Sequence, residues 1–484
     1  MENVPTIRIR QLNDHPLNSK GDYILYWMSA FRRSGHNFAL QHAAEQAAAL
    51  GKPLIVLEAL RCDYPYASDR LHRFIIDGMR ANARAFATRP ALYYPYLEPA
   101  KGAGKGLLLA LAEKASLVVG DDYPAFFLPR MLAAAASQLP VRLEAVDSNG
   151  LLPLRAADQP YPTAYAFRRF LQKELPGHLT AFPAPDPLKA LELPRLTRQP
   201  KPILERWPAA DLDQGADLSV FPIDHNVAPA AITGGSRAAR QRLTRFLNEH
   251  LQRYAEERSQ PELELTSGLS PYLHFGHISS HEIFAALTAA EGWRLGDQAP
   301  PGRGQKEGWW RMSTSAEAFL DQFITWRELG FNGCAFDNGY ARYDTLPDWA
   351  RKTLGEHAGD PRPTLYTRSE FEQAATHDPL WNAAQRQLLR EGKMHNYLRM
   401  LWGKKILEWS RTPREAHAIM VELNDRYALD GRDPNSYSGI GWVLGRYDRA
   451  WGPERPIFGK IRYMSSENTA RKFSVKGYLE RYAP

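Results

Sequence analysis

The sequence predicts a two-part protein: an α/β domain built on a doubly wound parallel sheet, followed by an all-α domain. Three observations carry this. Short apolar runs alternate with helix-period stretches up to about residue 155, the pattern of strands joined by crossover helices. The alternation then stops in a proline-frequent stretch between Pro176 and Pro229, which includes Phe182-Pro-Ala-Pro-Asp-Pro. Beyond Ser236 almost every periodic segment has helical spacing.

Residues 23–29, Tyr-Ile-Leu-Tyr-Trp-Met-Ser, form an apolar run bounded by polar residues, as a strand buried on both faces requires. A helix is expected over 38–50, a strand over 53–60, a helix over 70–87 and a strand over 91–97. Residues 106–114 read as helix, 116–120 as strand, 128–139 as helix and 141–146 as strand. Lys101-Gly-Ala-Gly-Lys-Gly has the glycines of a phosphate loop, but Gly106 and Leu107 follow its Gly-Lys where Ser or Thr is needed. It is a flexible connection. The α/β domain is expected over 1–160, an inter-domain connector crossing the surface over 161–236, and the helical domain over 237–484. Helices in the last are expected over 237–259, 281–290, 316–331, 369–391, 395–409 and 413–427.

A chain of 484 residues exceeds what one core usually serves, which agrees with two domains. With 44% hydrophobic and 24% charged residues it has the balance of a folded globular protein. No run of about eighteen apolar residues predicts a membrane span. The N-terminus lacks the apolar core of a signal peptide. The two cysteines, Cys62 and Cys334, are far apart and form no metal-type cluster, so no metal site is expected and a reducing cytosol is. A net charge of +7 suits nucleic acid but is shared by proteins that never touch it. Its distribution says more. From Arg432 to Arg481, basic residues interleave with Trp442, Tyr447, Trp451, Phe458, Tyr463 and Phe473. Cations for phosphates beside aromatics for bases suit a DNA-binding face, although a salt-bridged surface has the same composition.

Residues 395–409, His-Asn-Tyr-Leu-Arg-Met-Leu-Trp-Gly-Lys-Lys-Ile-Leu-Glu-Trp, hold no proline, and Trp402 and Trp409 lie seven positions apart. On a helix that is nearly two turns, roughly 10 Å along one face. Core packing alone produces the same stripe. Trp381 precedes it. After it come Leu-Asn-Asp-Arg-Tyr-Ala-Leu-Asp-Gly-Arg-Asp-Pro-Asn at 423–435, Gly-Ile-Gly-Trp at 439–442 and Pro-Ile-Phe-Gly-Lys-Ile-Arg-Tyr-Met at 456–464. In order and spacing these motifs resemble the flavin domain of class II photolyases, closely from Tyr254 to the C-terminus and loosely before it.

The resemblance implies an FAD-binding helical domain and an N-terminal domain carrying at most an antenna chromophore. It implies a carbon–carbon lyase in which excited reduced FAD gives one electron to a cyclobutane pyrimidine dimer, splitting it with light. Enzymes that flip bases, photolyases among them, bring the lesion out of the duplex first. The implied partner is ultraviolet-damaged DNA, met by a cytoplasmic, nucleoid-associated monomer. A photolyase for another photoproduct such as the (6-4) lesion, or a cryptochrome-like photoreceptor without repair, has a similar pattern.

Thr266-Ser267-Gly268-Leu269-Ser270-Pro271 is hydroxyl-rich before a helix, which suits either a capped helix or a phosphate seat. The resemblance assigns Thr266, Ser267, Gly268, Leu269 and Ser270, with Tyr254 upstream, to the FAD pyrophosphate. Arg327, Asn396, Arg399, Asn424, Asp430 and Gly431 match residues around the flavin, with Asn424 facing N5. Trp326 and Trp442 match the walls of the lesion pocket, and Met400 its floor. Trp381, Trp402 and Trp409 match the tryptophans that reduce the flavin from outside, Trp402 nearest it, and Tyr366 a tyrosine sometimes found with them. Arg446, Arg449, Arg455, Lys460 and Arg462 are the candidate DNA contacts.

Departures from the family pattern bear on the lesion. In Phe319-Leu-Asp-Gln-Phe, Gln322 replaces the pocket glutamate. The segment after Trp442 is one residue short, with Arg446 and Tyr447 replacing smaller residues, and around Ser34 and His36 the motif is loose, with Phe38 where Trp is common.

Overall fold

The computed structural model describes residues 3–196, 201–212 and 217–484. The chain packs as two compact units. One comprises Met1–Asp158, Glu174–Arg245 and Gly268–Gly296; the other comprises Gln159–Lys173, Phe246–Ser267 and Asp297–Pro484.

The first unit is built on a six-stranded sheet: β1 (Ile9–Gln11), β2 (Tyr23–Met28), β3 (Leu54–Leu60), β4 (Leu92–Leu97), β5 (Ala115–Asp121) and β6 (Leu143–Val146). Its order is β1-β6-β5-β2-β3-β4, parallel throughout except for β1, which pairs antiparallel with β6. The chain winds outward from β2 in both directions, which is the doubly wound topology expected. Every residue of β2 and β5 is buried, as central parallel strands covered on both faces demand. Apolar side chains on one face, among them Leu25, Ile55, Leu57, Val118 and Leu143, form a core with Leu111 and Leu132 from the crossover helices. β1 was not expected: three residues at an edge, two of them exposed, carry no periodic signal.

The crossover helices Phe38–Ala49, Asp69–Phe86, Leu107–Ala112 and Leu128–Gln138 lie where periodicity put them. Asn37 starts the first, its side chain accepting from the Ala39 and Leu40 amides. Residues 161–236, expected as a connector, include a fifteen-residue helix, Ala164–His178. Pro176 sits in its last turn, where a missing N–H and a ring clash disturb only the helix end.

The second unit holds helices and no strand among its described residues. Two expected helices are broken. The stretch 369–391 is Arg368–Glu372 followed by Pro379–Glu391, because Asp378 caps a new start by accepting from Leu380 N–H and Trp381 N–H, and Pro379 fits its first turn. The stretch 316–331 is interrupted by a π-helical segment, Asp321–Trp326, and 237–259 by another, Phe246–His250. No helix among the described residues is long and apolar enough to cross a membrane.

Candidate functional site

The helix Asn396–Trp409 organises the second unit. His395 caps it, its ring nitrogen accepting from Tyr397 N–H at 3.3 Å. Gly403 lets its neighbours close in: a Cβ there would lie 2.8 Å from a Val443 methyl and 3.0 Å from the Met420 sulfur. Val443 ends the helix Pro434–Val443 and Met420 lies in Pro413–Tyr427.

All three expected tryptophans are buried and come together. Trp402 donates from its indole N–H to Gln385 Oε1 at 2.8 Å, and Trp381 donates to the Trp402 carbonyl at 3.0 Å. Trp381 and Trp409 meet edge to face with centroids 6.0 Å apart. Tyr366 meets Trp409 the same way at 5.6 Å. The series runs from the buried Trp402 to a half-buried tyrosine.

Arg399 donates to both oxygens of Asp430, at 3.0 and 3.3 Å, in a pair that keeps 24% and 15% of its side-chain surfaces exposed. Asn424, only 3% exposed, makes one side-chain hydrogen bond among the described residues, a long one from Nδ2 to Asp425 Oδ1 at 3.4 Å. Asp425 also accepts from Arg432 N–H at 2.8 Å and from the Tyr437 hydroxyl at 3.0 Å; burial pushes its carboxyl pKa up. Gly431 packs so tightly that a Cβ would lie 2.6 Å from the Asn424 carbonyl oxygen. Asn396 is exposed at the start of its helix, and Arg327 is buried with its guanidinium 4.4 Å from the Phe331 centroid.

Gln322 and Trp326 both lie on the π-helical segment, and π-segments recur at functional sites. Those two side chains, with Met400 and Trp442, are each only half-buried. No hydrogen bond or ring contact joins the four to one another among the described residues. Trp442 is flanked by cations: Lys404 Nζ lies 5.2 Å and the Arg462 guanidinium 5.4 Å from its centroid. Arg462 also stacks 4.0 Å from Trp451 and is held by Asp448 at 3.1 and 3.3 Å.

Of the five candidate DNA contacts, Arg449, Arg455 and Lys460 are exposed and Arg462 is half-buried. Arg446 is 8% exposed, donating to Thr345 Oγ1 at 2.6 Å and lying 3.6 Å from Asp337. Tyr254 is buried between Phe246 and Phe319, and burial raises its phenol pKa. Thr266 and Ser267 are half-buried in the second unit. Gly268, Leu269 and Ser270 belong to the first, where Gly268 has φ of 64° and the Arg242 Nε lies 2.5 Å from where its Cβ would stand. That position favours glycine.

Sequence reasoning missed Lys404, Asp425 and His377. Lys404 carried a usable signal, a lysine pair at 404–405 set between Leu401-Trp402 and Ile406-Leu407. Asp425 and His377 carried none, since their roles come from residues distant in sequence or across a turn.

No family model matches the chain. A solved structure described as a bacterial class III photolyase from Agrobacterium tumefaciens superposes with a TM-score of 0.63, covering 96% of this chain and 86% of that one at 17% identity. The fold is therefore the photolyase fold, a mostly parallel sheet domain with a helical region. A relative from Methanothermobacter thermautotrophicus named deoxyribodipyrimidine photo-lyase is 36% identical over 475 residues, 98% of this chain and 97% of that protein. Relatives of the same name from Oryza sativa subsp. japonica and Potorous tridactylus are 35% and 31% identical, covering 96% and 99% of this chain and 88% and 84% of theirs. The chain belongs to the deoxyribodipyrimidine photo-lyase family.

Proposed function

We propose that this protein is a light-driven DNA-repair flavoenzyme that splits cyclobutane pyrimidine dimers, with the active-site pattern of class II. The observation that carries the proposal is the Trp402–Trp381–Trp409 series, which starts on the helix bearing Arg399 and Met400 and leads outward.

The residues present fit a flavin. Asn424 is a nearly buried amide with hydrogen-bonding capacity to spare, and the Arg399–Asp430 pair, joining the helix Asn396–Trp409 to the turn after Pro413–Tyr427, keeps part of its polar surface open. In the second unit, Asn396, Arg399, Asn424, Asp430 and Gly431 would hold the ring system, and Tyr254, Thr266, Ser267 and Arg327 are the remaining candidates. Bound FAD in its reduced state supplies the light-driven electron. The protein's own residues do the rest. Trp326 and Trp442 offer aromatic faces to the two linked bases of the extruded lesion, and Met400 a polarizable contact. Gln322 offers both a donor and an acceptor to the pyrimidine edge. Asn424 presents an amide able to accept or donate.

An absorption spectrum of the purified protein, followed by dimer splitting under blue light, tests this reading. Flavin bands and loss of dimers only under illumination are expected. A folded protein that takes up no FAD even when it is added would end the proposal.

A further inference from the structure

The aromatic series continues past Trp409 into a pair that can move a proton. His377 is exposed, its ring 5.0 Å from Trp409 and 5.9 Å from Tyr366, nearly parallel to the latter at 23°. The His377 main-chain N–H donates to the Tyr366 hydroxyl oxygen at 2.8 Å, and that oxygen lies 2.6 Å from His377 Nδ1. Among the described residues Nδ1 is the only acceptor in reach of the phenolic proton. With the ring proton on Nε2 the phenol donates to Nδ1, the arrangement that makes this nitrogen a ready acceptor for the phenolic proton. Tyr366 is also anchored to the series by its backbone, its N–H donating to the Trp409 carbonyl at 3.1 Å.

The Lys405 ammonium also sits over Trp409, 5.3 Å from the ring centroid and paired with Glu408 at 2.8 Å. A cation at that distance opposes a positive hole resting on the indole. A phenol can take over the hole at low cost only if its proton leaves with the electron, because an oxidised phenol that keeps its proton is a strong acid. Here the acceptor is already hydrogen-bonded and opens to water.

We propose that His377 Nδ1 is the base at the end of the electron path, taking the phenolic proton when Tyr366, the tyrosine that the photolyase resemblance places with the tryptophans, is oxidised. The proposal rests on the flavin reading above, since the primary oxidant is a photoexcited flavin acting through Trp402 and Trp381. In the step itself Tyr366 gives one electron to oxidised Trp409 and its O–H proton to Nδ1. The products are neutral Trp409, a neutral tyrosyl radical and an imidazolium; the single positive charge is conserved and moves to the surface. That separation keeps the electron from falling back.

Electron paramagnetic resonance and transient absorption on the holoenzyme with oxidised flavin test the step. Light should produce a tryptophanyl signal followed by a tyrosyl signal. Tyr366→Phe and His377→Gln should both lose the tyrosyl signal and keep the tryptophanyl one, which then decays faster. Glutamine can still accept the phenol's hydrogen bond but cannot keep its proton, so a purely structural pairing would leave the radical intact. In His377→Ala, added imidazole should restore the tyrosyl signal. A wild-type tyrosyl yield in His377→Gln overturns the proton step alone. A folded native protein that takes up no flavin overturns the flavin reading and this proposal with it, whereas a flavin-loaded native protein that gives no tryptophanyl signal overturns the electron path and this proposal alone.

Discussion

Lys404 lies wholly buried beneath Trp442, its ammonium 5.2 Å from the ring centroid and donating to the Val443 carbonyl. Burial pulls its pKa from 10.5 down to about 7, with Asp448 opposing the shift and Arg462 adding to it. The unfolded chain therefore binds more protons than the folded one between about 7 and 10.5. Stability should rise with pH across that window, by at most about 1.4 kcal/mol per pH unit from this residue. Lys404→Met keeps the volume and removes the titration, so its stability should be flatter from pH 7 to 9. Urea unfolding of both proteins at those two pH values checks the sign. An unchanged slope in the variant would mean that another group carries the dependence.

Trp402→Phe should block photoreduction of the flavin while sparing repair once the flavin is reduced chemically. Phenylalanine keeps an aromatic ring and the backbone carbonyl to which Trp381 donates, and it removes the redox-active indole along with its hydrogen bond to buried Gln385, a loss that costs stability without touching the chemically reduced flavin. Flavin bleaching under blue light with an external reductant reads the first outcome, and dimer splitting after dithionite reads the second. Normal bleaching in the variant removes Trp402 from the path.

Damaged-DNA binding should weaken with salt as phosphate contacts release counterions. Arg449, Arg455 and Lys460 are exposed, held by surface contacts to Trp451, Tyr463 and Glu454, whereas Arg462 is committed to Asp448 and Trp451 and Arg446 is buried against Asp337 and Thr345. Neutralising the exposed three together should lower the salt slope by up to about 3. Arg446→Ala should instead cost stability, since it removes a well-packed buried side chain together with its hydrogen bond to Thr345 and its ion pair with Asp337. Affinity measured at several salt concentrations separates the two effects. An unaltered slope in the triple variant would place the DNA face elsewhere.

How far the sequence discloses this molecule depends on the reach of each signal. β2, β3 and β5 are legible because a strand covered on both faces is a continuous apolar run. β1 is not, since Ile9-Arg10-Gln11 owes its pairing to Val146 and neighbours more than a hundred residues away. The break before Pro379 was readable from Asp378-Pro379, a capping residue followed by the residue best suited to a first helical turn. The π-helical insertion at Asp321–Trp326 was not, because one extra residue per turn leaves no mark in a short stretch. Site residues were named from motif order, which locates Arg399 and Asp430 but says nothing of burial. Composition marks Arg446 and Arg449 alike as basic, and only packing separates the buried one from the exposed one.

Gln322 offers the sharpest test of the lesion. It stands half-buried on the same π-helical segment as Trp326, at the position where the photolyase pattern has a glutamate that hydrogen-bonds the dimer. A carboxylate only accepts unless protonated, whereas an amide donates and accepts with no proton to supply. If that position chiefly holds the lesion in place, the amide loses little, since one neutral hydrogen bond is worth about 1 kcal/mol. If it must supply a proton to the radical anion of the dimer, the native protein should bind the lesion and split it slowly. We favour placement, for which an amide keeps both a donor and an acceptor for the pyrimidine carbonyl and N–H. The native protein should therefore repair cyclobutane dimers at a modestly reduced quantum yield, and Gln322→Glu should raise it. Quantum yields of both forms on a cyclobutane dimer and on a (6-4) photoproduct decide the matter. If neither form splits the dimer while the native one repairs the (6-4) lesion well, the cyclobutane assignment falls and Gln322 becomes the mark of the other substrate.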